Sequence, residues 1–283
     1  MATKMYSGFK PTKNSIRSET PLTNDQIMAV CPSVMATAPH EDRSARYQCI
    51  PTVSVLDALR KEGFQPFFAV QTQPKIEGRF NFARHMLRLR HADSVAAEEA
   101  NEIILVNSAD GSGSFQLLAG IFRSVCQNGL VAGDIVQDVR VRHTGNVIDN
   151  VIEGSYQVLE DFERVDLSRN EMKSIHLSYS EQLAFARSAL SLKYESIEAT
   201  PIQPEQILDP HRHADVGRDL WRTLNVVQEN LTRGGVRGRT ANNKRTTTRA
   251  VNGISENVKL NKSIWSLAEA MKGLKEGRGL SHA

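Results

Sequence analysis

EIILVNSADGSGSFQLLAG (residues 102–120) decides the fold. Two runs of branched and aromatic residues flank SADGSG (108–113), where Gly, Asp and Ser supply turn chemistry. Branched side chains fit a pleated surface, and Gly and Asp accept the backbone that reverses a chain, so the segment reads as a β-hairpin. Working outward, FQPFFAVQ (64–71), RFNFARHMLRLR (79–90) and DIVQDVRVRH (134–143) carry the same strand signal. Most of these runs have no helical pattern between them, which favours an antiparallel meander over βαβ winding.

Helices are expected around and after this sheet. Thr23 and Gln26 have capping-box spacing ahead of a short helix. Val55, Leu56 and Leu59 share one face of a helix that ends at Gly63. From about residue 147 the apolar period changes from two to 3.6, through Ile148, Val151, Ile152, Tyr156, Leu159 and Phe162. Ser168 and Glu171 suggest the start of a further helix running through FARSALSLKY (185–194). Leu220, Leu224, Val227 and Leu231 mark the next, and Ile264, Leu267, Met271 and Leu274 the last. The fold class is α+β: an antiparallel meander sheet in the N-terminal half, packed by helices mostly from the C-terminal half. Residues 1–20 read as a flexible arm, 21–275 as one domain with a basic loop at 232–253, and 276–283 as a tail.

Composition narrows the function classes. Hydrophobic residues at 40% and charged residues at 24% exclude collagen-like, wholly disordered and coiled-coil chains. No apolar run approaches the ~18 residues that would span a bilayer. The start MATKMYSGFKPTK lacks the apolar core of a signal peptide, so the expectation is a cytoplasmic protein with no membrane partner. Cys31, Cys49 and Cys126 show no C-x-x-C spacing, which argues against a disulfide framework or cysteine zinc site.

The formal charge of +3 hides a division. Residues 231–283 hold eleven Lys and Arg against three Glu, a net of +8; the first 230 hold 24 basic and 29 acidic groups, a net of −5. Arg233, Arg237, Arg239, Lys244, Arg245 and Arg249 are interleaved with Gly, Asn and Thr in LTRGGVRGRTANNKRTTTRAVNG (231–253), which has no acidic residue. Cations neutralise phosphates, hydroxyls and amides bond phosphate oxygens, and Gly allows close backbone approach. The segment is expected to be a mobile loop that folds on a sugar–phosphate backbone; the plainer reading is a solvated charged loop.

Alternation in two strands extends the basic track. Arg84, Arg88 and Arg90 would face one way with Phe80 and Phe82, and Arg140 and Arg142 share a face of their own strand. An open sheet face bearing these five arginines could line a strand, with the two Phe stacking bases. A solvated sheet face carries charges in any case.

Catalytic signals are weak. Asp209, His211, His213 and Asp215 in DPHRHAD could hold a metal, but Pro210 breaks the strand geometry an H-x-H pair needs, so no metal or cofactor is expected. Cys126 and His143 read as core and strand residues before they read as a thiol catalyst, and His40 with Glu41 as a salt-bridged loop. No Walker loop or G-x-S-x-G is present.

The segments PLTNDQIMAVCPSV, HEDRSARYQCIPT, EGFQPFFA, HMLRLR, IILVNSADGSGSFQLLAGIFRSVCQNGLV and GRTANNKRTTTRAVNGISENVKLN resemble domain-of-unknown-function family 932, from about residue 20 to 275. The resemblance implies a phage- or plasmid-like protein of a bacterial prophage, plasmid or integrative element. It transfers no catalytic residues. A second likeness, of element order only, is to ring-forming single-strand annealing proteins. The expectation is a non-enzymatic nucleic-acid-binding protein, with DNA as partner and a homo-oligomer left open. The alternatives are an interaction protein that modulates a host defence or restriction factor, and a metal-dependent nuclease using Asp209, His211 and His213.

Overall fold

The architecture is α+β, with an antiparallel sheet from the first half of the chain and most helices from the second. The computed structural model describes residues 14–44, 47, 49–94, 97–123, 129–132, 139–141, 147–194 and 200–277. In chain order come β1 (Ser15–Arg17), α1 (Asn24–Val30), α2 (Thr52–Lys61), β2 (Phe64–Gln71), β3 (His85–His91), β4 (Glu99–Asn107) and β5 (Phe115–Arg123). There follow β6 (Gly129–Val131), β7 (Val139–Val141), α3 (Val147–Ser174), α4 (Tyr179–Lys193), α5 (Leu220–Arg233), β8 (Arg237–Arg239), β9 (Arg245–Thr247) and α6 (Ile254–Lys275).

The sequence reading treats 21–275 as one domain, and the structure divides that span into two compact units. The first holds the described residues up to 123 and 139–162; the second holds 129–132 and 163–277. In the first, β1 to β5 pair in consecutive antiparallel order, and β7 pairs with β5. Ser15–Arg17 form the edge strand on β2, so this part of the expected loose arm is held by ladder hydrogen bonds. The β4–β5 turn is the anticipated hairpin: Ser112 N–H donates to Asp110 Oδ1, and Gly111 supplies φ +67°. α2, whose Val55, Leu56 and Leu59 are buried, reaches through Thr52 to His85 on the sheet face that also carries Leu87, Leu89, Ile103 and Leu105, all fully buried.

The same face buries a neutral polar cluster. His85 Nδ1 lies 2.8 Å from Ser33 Oγ and Nε2 lies 2.8 Å from Thr52 Oγ1. Ser33 donates to Gln71 Oε1 at 2.6 Å, and Asn107 Nδ2 donates to Thr52 Oγ1 at 2.9 Å. Burial lowers the His85 pKa to about 4, so the ring is neutral and each nitrogen has a partner.

In the second unit α5 is nearly enveloped, with twelve of its fourteen residues buried. Its polar side chains are satisfied: Gln228 donates to Asn261, Asn225 to the Trp221 carbonyl, and Arg212 grips Glu229 in a two-pronged bond of 2.5 and 2.6 Å. Trp221 of α5 meets Trp265 of α6 edge to face.

The helix boundary expected at Ser168 is not a boundary. α3 runs unbroken from Val147 to Ser174. Ser168 instead hydrogen-bonds Glu269 and accepts from Lys272 of α6, and Glu171 also binds Lys272. The capping box that opens the next helix is Ser178 with Glu181. Among the described residues no helix is long and apolar enough to cross a membrane.

Candidate nucleic-acid interface

The basic segment is an ordered hairpin rather than a mobile loop. β8 and β9 pair in register, Arg237 with Thr247, Gly238 with Thr246 and Arg239 with Arg245. Opposed residues project to the same side, so Arg237, Arg239, Arg245 and Thr247 form one face, all exposed. The turn is closed by Thr240, whose N–H donates to the Lys244 carbonyl and whose carbonyl accepts from Asn243 N–H. Asn243 takes φ +58°, a backbone Asn tolerates better than most residues. Arg239 Nη1 donates to the Asn243 carbonyl and side chain at 3.0 and 3.1 Å.

Three supports orient that face outward. Gly238 presses on Pro201: a Cβ there would lie 1.9 Å from the Pro201 carbonyl oxygen, which accepts the Arg239 N–H at 2.8 Å. Gln206 donates to the Arg237 carbonyl at 2.8 Å. Lys193, at the end of α4, donates to the carbonyls of Leu231 and Arg249 at 2.6 and 3.0 Å and so ties together the two roots of the hairpin. Burial pushes the Lys193 pKa down. None of Pro201, Gln206 and Lys193 carries a local sequence signal; Gly between two arginines was the one visible hint.

The electrostatics follow from counter-ions. Among the described residues, Arg237, Arg239, Lys244, Arg245 and Arg249 form no ion pair with any carboxylate, and all five are exposed. Arg233 differs: it is half-buried and meets Glu229 at 3.4 Å, within the network of Arg212 and Asp215.

Among the described residues, Arg84, Arg88 and Arg90 do not form the solvated face anticipated for them. Arg88 and Arg90 do share a side of β3, but each is 4% exposed and both bind Glu102 of β4, at 2.6 and 3.2 Å. Arg90 is sandwiched between the rings of Phe67 and Phe122, 4.1 and 3.8 Å from their centroids. A cation this enclosed is a structural element, held by its carboxylate and two aromatic faces. Arg84 is half-buried over the β4–β5 turn, where a Cβ on Gly113 would meet its Nη1 at 2.7 Å. Phe80–Phe82 form a short 3-10 helix, which breaks the strand alternation before β3 and leaves both rings half-buried. Arg140 lies on β7 with its side chain outside the described residues, and Arg142 lies outside them altogether.

The DPHRHAD segment serves packing. His211 Nε2 is 2.9 Å from Asn230 Oδ1, and the Asp209 carbonyl accepts from Asn230 Nδ2. Among the described residues no three His, Cys, Asp or Glu side chains gather to hold a metal. Asp42 beside His40 pairs with Arg79 at 2.5 Å, as a salt-bridged loop would. Cys126 and His143 lie outside the described residues.

Comparison with known proteins agrees with the resemblance in the sequence. The family described as Domain of unknown function (DUF932) matches residues 39–265. The UPF0380 proteins YafZ and YfjQ of Escherichia coli strain K12 are each 48% identical over 269 residues, covering 95% of this chain and 98% of each relative. No solved structure matches.

Proposed function

The chain belongs to the family described as Domain of unknown function (DUF932), and from that premise we propose that it is a non-enzymatic nucleic-acid-binding protein of a mobile element, acting in that element's DNA metabolism. The observation that supports this reading is the set of five exposed cations on the β8–β9 hairpin that lack carboxylate partners. A surface that keeps its cations unneutralised is suited to a polyanion. The small residues, Asn and Thr between the cations are suited to phosphate oxygens. One face of the hairpin rests on Pro201, so only the outer face meets a ligand. This favours contact with the backbone from outside over insertion into a groove, and hence binding with little sequence preference.

Fluorescence anisotropy with a labelled oligonucleotide tests the reading. Replacing Arg237, Arg239 and Arg245 together by Gln is expected to weaken binding at least about tenfold at low salt, since each cation lost removes a released counter-ion. These side chains are exposed and the loss is confined to the Arg239–Asn243 bonds of the turn, so the variant should melt close to the parent. No affinity in the parent, or equal affinity in both, would sink the proposal. A host protein retained after nuclease treatment, with no affinity for DNA, would favour the host-factor reading.

A further inference from the structure

We propose that the outer edge of β9 takes up an added strand, an extended acidic segment of a protein partner; this goes beyond the nucleic-acid reading and does not rest on it. In an antiparallel pair, opposed residues alternate between those that exchange main-chain hydrogen bonds and those whose N–H and C=O point outward. Thr240 N–H donates to the Lys244 carbonyl and Thr248 N–H to the Val236 carbonyl, both at 2.9 Å. By alternation Gly238 with Thr246 is also a bonded pair, whereas Arg237 with Thr247 and Arg239 with Arg245 are not. The main-chain polar groups of these last four residues therefore point away from the hairpin.

The two strands then differ. On β8 this chain fills the outward positions itself: Arg239 N–H donates to the Pro201 carbonyl at 2.8 Å, and the Arg237 carbonyl accepts from Gln206 at 2.8 Å. On β9 no described residue bonds the N–H or C=O of Arg245 or Thr247, and both residues are exposed. Among the described residues the hairpin has no third strand. Two donors and two acceptors set in strand order are a template for one more strand.

Charge selects the occupant. Arg239 and Arg245 oppose each other in the closer, non-bonded kind of pair, and like charges so placed repel. Neither has a carboxylate partner among the described residues. An added antiparallel strand sets one residue opposite Arg245 and another opposite Thr247, two positions apart and on the cationic face. An acidic residue at the first place lies one strand spacing, about 4.8 Å, from Arg245 and relieves the repulsion. A second copy of β9 would instead bring its own Arg245 and Arg239 to that face. A phosphate strand offers acceptors to a row that already holds two outward carbonyls, whereas a polypeptide offers both donors and acceptors.

The probe is a labelled, acetylated peptide in which Glu and Thr alternate, titrated by fluorescence anisotropy. Its twin carries N-methyl groups on the Glu residues, which keeps every carboxylate and removes the N–H groups that meet the carbonyls of Arg245 and Thr247. The parent should bind the first peptide at least about tenfold more tightly, since the twin forfeits two main-chain hydrogen bonds. Thr247→Pro puts a ring where an outward N–H stood and leaves the hairpin's own ladder intact, so it should bring the affinity for the first peptide down to that of the twin. Thr247→Val keeps the N–H and should retain the preference. Amide exchange reads the same event without a variant. In the free protein the Arg245 and Thr247 amides should exchange faster than those of Thr246 and Thr248, and the peptide should slow them. Equal affinity for the two peptides, or free exchange of those two amides in the bound state, would overturn the inference. Protection of them by an oligonucleotide but not by the peptide would assign the edge to nucleic acid and overturn it too. Protection on raising the protein concentration alone would assign it to a second copy, with the same consequence.

Discussion

His85 shows how much a single buried group can set. Its ring lies between Ser33 and Thr52, and burial holds its pKa at about 4 against an ordinary 6.5. An unfolded chain therefore takes up a proton on this histidine in a range where the folded chain does not. Its contribution to stability is complete above about pH 6.5 and is lost as pH falls towards 4. Across that window the loss amounts to ~3 kcal/mol, at up to about 1.4 kcal/mol per pH unit. Urea unfolding of the parent and of His85→Gln at pH 7 and pH 4.5 checks this. The variant is expected to be less stable at pH 7, because Ser33 and Thr52 lose a partner, and the gap should narrow at pH 4.5. A constant gap would show that this histidine does not drive the acid response. Little at this scale was visible in the sequence. Alternation placed Arg88 and Arg90 on one side of a strand correctly, but exposure depends on what lies across the ladder. The neutralising Glu102 is on another strand, and a one-strand pattern cannot show it.

Most elements were readable because their signals are local. The 108–113 turn, the Thr23 capping box and the stop at Gly63 each depend on residues within a few positions. Structure and sequence pattern part where two segments offer the same chemistry. Ser168 with Glu171 and Ser178 with Glu181 have identical spacing, yet only the second pair caps a helix; the first lies inside α3, where both side chains bond Lys272 instead. The hairpin has no local signal either: a strand of three residues has almost no periodicity of its own, and its order comes from Pro201, Gln206 and Lys193. Gly238→Ala tests that account. A methyl group 1.9 Å from the Pro201 oxygen must push β8 off its seat and break the bond from Arg239 N–H. Faster amide exchange at Arg239 is expected, together with weaker oligonucleotide binding, even though every charge is retained. Unchanged exchange would mean that Pro201 does not order the hairpin.

For the whole molecule, the question is which charge a polyanion meets. The chain carries +3 overall, a value that suggests weak and nonspecific attraction. That sum combines −5 over residues 1–230 with +8 over 231–283, and the five unpaired hairpin cations belong to the second part. With a screening length of about 8 Å at physiological ionic strength, a phosphate on the hairpin responds to nearby cations far more than to distant carboxylates. The salt dependence separates the two views. If all five cations contact phosphates of a single strand, log K should fall against log salt with a slope near −3.5, about −0.7 for each contact. Removing Arg237, Arg239 and Arg245 should flatten that slope by about 2. If the net charge governed instead, the same variant would reach zero net charge and lose nearly all salt dependence. A residual slope of about −1.4, carried by Lys244 and Arg249, is therefore the result that places binding on the hairpin.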